Sequence, residues 1–226
     1  MSAKRQKPIV IAIDGTSASG KSTTAKLVAR QLGFVYVDTG AMYRTLAWYC
    51  LKNKIDVNNK RAVINLCKKW NTRLECVEKD GLKQVRLLVD EYYPEKEIRT
   101  AETSAVVPSV AAIQKVRDWM KKVQRSCIDF GNLVMEGRDI GTNIFPETDF
   151  KFWLDASLEE RMKRRKAEGV QENLAERDTR DSQRAAAPLI VPLGAVRINN
   201  SNLTPQQTAE LIINYVKEKL EKKAKN

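Results

Sequence analysis

A strand-like run that ends in a glycine-bounded octet and restarts as a helix leaves a chain few ways to fold. Pro8-Ile9-Val10-Ile11-Ala12-Ile13 is continuous, apolar and largely β-branched, as in a strand buried on both faces of a parallel sheet. Next comes Gly15-Thr16-Ser17-Ala18-Ser19-Gly20-Lys21-Ser22, in the pattern G-x-x-x-x-G-K-[ST]. From Ser22 to Leu32, Ala25, Leu27, Val28, Ala29 and Leu32 are spaced as the apolar positions of a helix, and Gly33 is placed to cap its end. Glycines in such a turn let successive backbone N–H groups close around phosphate oxygens. Lys21 supplies a point charge for the β and γ phosphates, Ser22 a hydroxyl for Mg2+, and the helix its positive end. Gly15, Thr16, Ser17, Ala18, Ser19, Gly20, Lys21, Ser22 and Thr23 are therefore the candidate ligands for the phosphates of a nucleoside triphosphate such as ATP.

The remaining pattern repeats strand and helix. Phe34-Val35-Tyr36-Val37 reads as a second strand and Thr39 to Lys52 as a second helix. Asn132-Leu133-Val134-Met135, Phe150-Lys151-Phe152-Trp153-Leu154 and Ala195-Val196-Arg197-Ile198 read as further strands. Ser157-Leu158-Glu159-Glu160 is a capping box opening a basic helix, and Thr204-Pro205-Gln206-Gln207 opens the closing one. This alternation predicts an α/β fold, a parallel sheet covered by helices on both faces. The stretch from about Asp56 to Glu97 breaks the rhythm. Within it, Arg73 to Val77 and Gln84 to Val89 read as antiparallel strands joined near Asp80-Gly81, as in an inserted lobe. A long helix from about Ser109 to Cys127 is expected to lead back to the core.

Composition narrows the chemistry. The 226 residues contain no histidine, which removes imidazole acid–base catalysis and His-containing zinc sites. Cys50, Cys67, Cys76 and Cys127 stand far apart and are expected to be reduced thiols. The formal charge of +12 is half supplied by the ends, Lys4, Arg5 and Lys7 and the closing lysines from Lys217 to Lys225; such runs are usually solvated. No apolar run approaches the roughly 18–20 residues that span a bilayer, and the opening residues do not read as a secretory signal. A cytoplasmic monomer without nucleic-acid or membrane partners is expected.

Four polar clusters fall where strands end or helices begin, positions that face the ligand crevice of a doubly wound sheet. They are Asp38-Thr39-Gly40-Ala41-Met42-Tyr43-Arg44, Glu97-Ile98-Arg99-Thr100, Glu136-Gly137-Arg138-Asp139-Ile140-Gly141-Thr142, and Arg177-Asp178-Thr179-Arg180-Asp181-Ser182-Gln183-Arg184. One cluster alone is compatible with surface salt bridging; four in one small chain fit a site for two phosphorylated molecules. No N-K-x-D guanine-reading signature is present, and the chain is short for a motor ATPase core.

With the octet, Phe145-Pro146 and Ala187-Pro188-Leu189, these clusters resemble the bacterial cytidylate kinases of the nucleoside monophosphate kinase family, in the family's order and over nearly the whole chain. The resemblance implies a P-loop NTPase-type parallel sheet flanked by helices, an inserted acceptor-binding lobe containing a small antiparallel sheet, and a short helical lid. It divides the chain into an ATP-binding core, residues 1–55 and 130–226 with the lid at about 160–184, and an acceptor lobe with its connecting helix, residues 56–129. It further implies that ATP with Mg2+ is the donor and CMP or dCMP the acceptor.

By match to the family's motifs, Arg44, Arg138 and Arg184 would grip the CMP phosphate, Arg117 and Asp139 would read the cytosine, and Arg177 and Asp181 would hold the sugar hydroxyls. Thr39 and Ser109 complete the expected acceptor set. Lys21, Arg138, Arg184, Arg161 and Arg165 would act on the transferring phosphoryl group. Planar guanidinium forks suit phosphate oxygens, and a carboxylate can accept from the exocyclic amine of cytosine where uracil presents a carbonyl. The sequence departs from the family at Pro108, where a serine is usual and Ser109 follows one residue later, and in the short stretch between Arg165 and Arg177. Two other readings stay open: another small kinase of the UMP, thymidylate or shikimate type, and a basic nucleic-acid-binding ATPase.

Overall fold

β1 (Val10–Gly15) occupies the middle of the sheet, and the alternation of its side chains explains why the run before the octet is apolar throughout. Val10 and Ala12 point to one face and Ile11 and Ile13 to the other, and all four are buried. In this computed structural model the described residues are 7–169, 173–184 and 187–225. Lys4, Arg5 and the lid-tip residue Val170 lie outside them.

Among the described residues, the other strands are β2 (Val35–Asp38), β3 (Thr72–Lys79), β4 (Leu82–Val89), β5 (Leu133–Gly137), β6 (Phe150–Asp155) and β7 (Val196–Asn199). They form one seven-stranded sheet in the order β3-β4-β2-β5-β1-β6-β7. Every neighbouring pair is parallel except β3 with β4. The fold class expected from the sequence is thus present.

The antiparallel pair of the insertion is also present, but it extends the central sheet instead of standing apart. β4 lies parallel to β2 with Tyr36 opposite Gln84 and Val37 opposite Val85. Its hairpin turns at Asp80 and Gly81, both with positive φ (52° and 69°), the turn that matches the twist of paired strands. Apolar residues on β4 explain the annealing, since Val85, Leu87 and Val89 are buried in the same core as β2 and β5.

Two helical layers cover the sheet. α2 (Thr39–Lys52), α3 (Lys60–Lys69), α4 (Ala101–Ala111) and α5 (Gln114–Ser126) contribute to the core on one face. α1 (Lys21–Leu32) and α8 (Pro205–Ala224) build the core on the other, where Phe152 packs edge-on to Tyr215 at 5.5 Å between ring centroids. α6 (Leu158–Ala167) and α7 (Leu174–Ser182) follow β6. The capping box at Thr204 is complete, with Thr204 Oγ1 accepting from Gln207 N–H and Gln207 Oε1 from Thr204 N–H. At Ser157 only the Oγ acceptor for Glu160 N–H is present, because Ser157 N–H donates to Ser201 Oγ instead.

The long helix expected from Ser109 to Cys127 is two helices. Ile113 takes an extended conformation and caps α5, so the chain turns between Ala111 and Gln114. Ser109 belongs to α4, which begins at the Thr100 cap and runs through Pro108. The proline obscured that helix in the sequence because it removes a backbone donor from the interior.

Because β1, β2, β5, β6 and β7 run parallel, their carboxyl ends share one edge. β1 is also where chain order reverses, with β5 on one side and β6 on the other. Ligands of such sheets bind at that crevice.

Candidate nucleotide-transfer site

The glycine-bounded loop leaves β1 at Gly15, which no other residue could replace without moving the sheet. A Cβ there would lie 1.9 Å from the Leu154 carbonyl oxygen of β6, and the backbone has φ 152°. Gly20 at the start of α1 is left-handed (φ 83°). Lys21 folds back into the loop, its Nζ donating to Thr16 O at 2.5 Å and Ser19 Oγ at 3.2 Å. Burial holds its ammonium well below the usual lysine range, with Arg138 acting in the same direction. Ser22 and Thr23 stand exposed on the first turn of α1.

The loop is braced from the neighbouring strands. Thr16 Oγ1 donates to Asp155 Oδ1 at 2.8 Å at the end of β6, and Asn200 Nδ2, just past β7, donates to Ser19 O at 2.7 Å. From α6, buried Arg161 donates to Ser17 O at 3.2 Å and pairs with Asp178 at 2.5 Å, joining α6, α7 and the loop. Asp178 Oδ1 accepts from Ser17 N–H at 3.4 Å. Arg165 donates to Ser17 Oγ at 3.3 Å and to Glu168 at 2.6 Å. Arg161 and Arg165 therefore both reach the donor loop. Arg164, between them, turns instead to Asn200 and Glu160.

At the end of β2, Asp38 caps α2 by accepting from Ala41 N–H at 2.8 Å and pairs with Arg99 at 3.1 Å. Burial pushes its carboxyl up, but Arg44, Arg99 and the Ala41 N–H outweigh burial and hold it below the usual range. Thr39 Oγ1 donates to Glu136 O at 2.7 Å, tying β2's end to β5's. Burial depresses the Arg44 guanidinium against the pull of Asp38, and Arg99 and Arg177 add to the depression. Arg138 is held down to about 10 by burial, opposed by Asp181 and reinforced by Arg177. Arg177 also depresses Lys21. Lys21, Arg44, Arg138 and Arg177 thus cluster at this edge, with Asp38, Glu136 and Asp181 set among them.

Arg138 donates to Gly15 O at 2.6 Å and pairs with Asp181 at 3.0 Å, and Arg184 pairs with the other oxygen of Asp181. Arg117 and Asp139 meet in a buried pair at 2.6 Å; Asn143 Nδ2 also donates to Asp139, at 3.0 Å. A cleft of about 280 Å³ opens beside Arg117, lined also by Gln114, Thr142, Asn143, Ala187, Pro188 and Ile190. Ser109 is half-buried on α4 and is not in the described lining of that cleft.

Several residues with no role assigned from the sequence hold this edge together. Tyr36 donates to Glu136 at 2.6 Å, and burial raises the Glu136 carboxyl, with Asp38 adding to it and Lys21 opposing. Asp14 lies wholly inside, accepting from the Ile140 and Gly141 N–H groups at 2.8 and 2.7 Å. Asp14 and Asp155 each follow an apolar strand run directly, and Asn200 stands just past β7; that placement at parallel carboxyl ends was their signal in the sequence.

Comparison with known proteins agrees with this geometry. The cytidylate kinase family profile matches residues 11–218. A cytidylate kinase of Clostridioides difficile is 38% identical over 219 residues, 92% of this chain and 98% of that one. One from Bacillus licheniformis is 39% identical over 228 residues, 96% of this chain and all of its counterpart. A bifunctional pantoate ligase/cytidylate kinase of Prochlorococcus marinus is 35% identical over 226 residues, covering 94% of this chain and 44% of the longer protein.

Proposed function

The chain belongs to the cytidylate kinase family, and from that premise we propose that it transfers the γ-phosphoryl group of ATP to CMP or dCMP, giving ADP and CDP or dCDP. An oxygen of the acceptor phosphate attacks the γ-phosphorus, and the bond to the β–γ bridging oxygen breaks. The acceptor is already an anion, so no catalytic base is needed, and positioning with charge neutralisation carries the rate.

The single observation that carries this assignment of roles is the convergence of Arg138 and Arg184 on Asp181 beside the buried Arg117–Asp139 pair, with Lys21, Arg44 and Arg177 close by. Two polyanions must approach each other there, and fixed guanidinium groups offset their repulsion. Gly15 to Thr23 cradle the donor phosphates. Arg44, Arg138 and Arg184 take the acceptor phosphate, displacing Asp181 from its present pairings with the last two. Arg177 and Asp181 then hold the sugar, and Arg117 and Asp139 the base. Arg161 and Arg165 bring positive charge from α6 to the transferring group. In this reading residues 56–129 are the acceptor lobe, and about 160–184 the lid over a core of residues 1–55 and 130–226.

Mg2+ fits the oxygen set at the loop. The Ser22 hydroxyl stands exposed on the first turn of α1 and lowers the nearby Glu136 carboxyl, and hard oxygen donors completed by phosphate oxygens are what this ion prefers. When bound, it neutralises charge developing between the β and γ phosphates. Among the described residues no helix is long and apolar enough to cross a membrane; the proposed setting is a monomer in the cytoplasm.

Product identification tests the proposal. Incubation of CMP with ATP labelled in the γ position is expected to yield labelled CDP on ion-exchange chromatography. Label recovered only as inorganic phosphate would reject phosphoryl transfer to CMP.

A further inference from the structure

Asp14 stands one residue before the donor loop, yet its side chain turns toward the acceptor loop. In the sheet it lies opposite Gly137 of β5, the last residue before Arg138. Its carboxylate is completely buried, and each oxygen accepts one N–H, from Ile140 at 2.8 Å and Gly141 at 2.7 Å. Those two amides open the tight turn Ile140–Ile144, where N–H groups have no partner within the turn itself.

The residue between, Asp139, has an uncommon backbone conformation (φ −148°, ψ 28°), and its carbonyl accepts from Asn143 and Ile144 N–H groups at 2.9 and 3.1 Å. Its position is therefore set from one side by the turn and from the other by Asp14. The approach is tight: a Cβ on Gly141 would lie 3.3 Å from Asp14 Oδ2 and 3.0 Å from Pro192 Cγ, so these neighbours would have to give by a few tenths of an ångström. Arg138 Nη1 adds a tie to Gly15 O at 2.6 Å. Three hydrogen bonds thus clamp residues 138–141 to residues 14–15.

We propose that Asp14 is a positioning residue that holds Arg138 and Asp139 in register for the acceptor, so that the strand feeding the donor loop also sets the acceptor pocket. It touches neither nucleotide. The inference rests on the acceptor roles given above to Arg138 and Asp139. Asparagine at this position keeps one acceptor but presents an amide to the second N–H, replacing an attraction with a clash of donors.

The test is Asp14→Asn, assayed at pH 8 for ADP release and for binding of a fluorescent ATP analogue, with Asp14→Ala and Gly141→Ala beside it. The expected result is a rise in KM for CMP of about tenfold or more, since misplacing a binding group by about 1 Å costs rates of up to 10²-fold. ATP-analogue affinity is expected to stay within threefold or so, a split that general loosening of the fold would not produce. Gly141→Ala, which pushes on the same contact from the other side, is expected to repeat the pattern, and it carries the test if the Asp14 variants fail to fold.

In an Asp139→Ala background the effect of Asp14→Asn on kcat/KM for CMP should shrink to the part carried through Arg138, because residues acting through one another are not additive. Amide exchange at Ile140 and Gly141 should speed up in Asp14→Asn. An unchanged KM for CMP with weakened ATP binding would overturn the proposal, as would full additivity with Asp139→Ala. Normal CMP kinetics in Asp139→Ala alone would instead reject the role given to Asp139, while the exchange measurement would still report on the clamp.

Discussion

Arg117 donates from Nη2 to Asp139 Oδ2 at 2.6 Å, and both side chains are buried. A buried pair that loses one member leaves a charge without compensation, which costs about 3–5 kcal/mol. Asp139→Ala is therefore expected to lower the melting temperature and Arg117→Met to do likewise, with the double variant recovering part of the loss. Asp139→Ala should also cut kcat/KM for CMP by about 10²-fold or more, since a site built to hydrogen-bond its substrate rejects a mismatch strongly. ATP-analogue binding should be spared. Calorimetric melting and steady-state kinetics on the three variants check both halves.

Lys21 is buried, and among the described residues its hydrogen bonds stay within its own loop, to Thr16 and Ser19. Its removal takes away a desolvated charge and breaks no ion pair among the described residues. Lys21→Ala is expected to reduce turnover by at least about 10²-fold, the scale for removing one charge-stabilising donor. Its circular dichroism spectrum and melting temperature should stay close to those of the parent. A cooperative unfolding transition shifted down by tens of degrees would contradict this division of labour.

Arg161 and Arg165 differ in how they are held. Arg161 is buried, pairs with Asp178 and reaches Ser17 O; Arg165 is half-buried and shares itself between Ser17 Oγ and Glu168. Removing Arg161 should cost about 10³-fold in single-turnover rate, as for arginines that neutralise a transferring phosphoryl group. Removing Arg165 should cost less, about tenfold. Single-turnover rates with saturating CMP decide the order, and a larger loss at Arg165 would reverse it.

The pH dependence of stability has a recognisable signature at Asp14. Burial pushes its carboxyl from 3.8 to about 7, with Asp139 adding to the rise and the Gly141 and Ile140 N–H groups and Lys21 opposing it. Between those values the folded chain keeps a proton that the unfolded chain releases. The stabilising contribution is thus full below about pH 4 and is lost as pH rises through about 7. Relative to Asp14→Asn, which does not titrate, the parent should lose stability on the order of a few kcal/mol from pH 4 to 7.5. Urea unfolding of both proteins across that range measures it; a parent that gains on the variant would show that the two amides outweigh burial.

The α/β alternation and the donor loop were legible in the sequence because each depends on local pattern: the apolar run 8–13, the glycines at 15 and 20, and the helical spacing from Ala25 to Leu32. The arginine and aspartate clusters were legible as motifs, and the structure pairs Arg138 and Arg184 with Asp181 and Arg117 with Asp139. What periodicity could not supply was long-range pairing. Whether the Asp80-Gly81 hairpin stood apart or annealed to β2 depended on the register of Tyr36 with Gln84, which no local pattern carries. α4 was hidden by Pro108, and the break at Ile113 by a run whose helical character is otherwise continuous. Asp14 was overlooked for a similar reason: its partners, Ile140 and Gly141, lie more than a hundred residues away.

The central claim is that the cationic edge and the Arg117–Asp139 pair select a cytidine monophosphate as acceptor. A coupled ADP-release assay across CMP, dCMP, UMP, dTMP and AMP, with shikimate as a hydroxyl acceptor, tests it most directly. The account predicts that CMP and dCMP give the highest kcat/KM, with UMP lower by at least about tenfold. Preference for UMP over CMP by tenfold would contradict it.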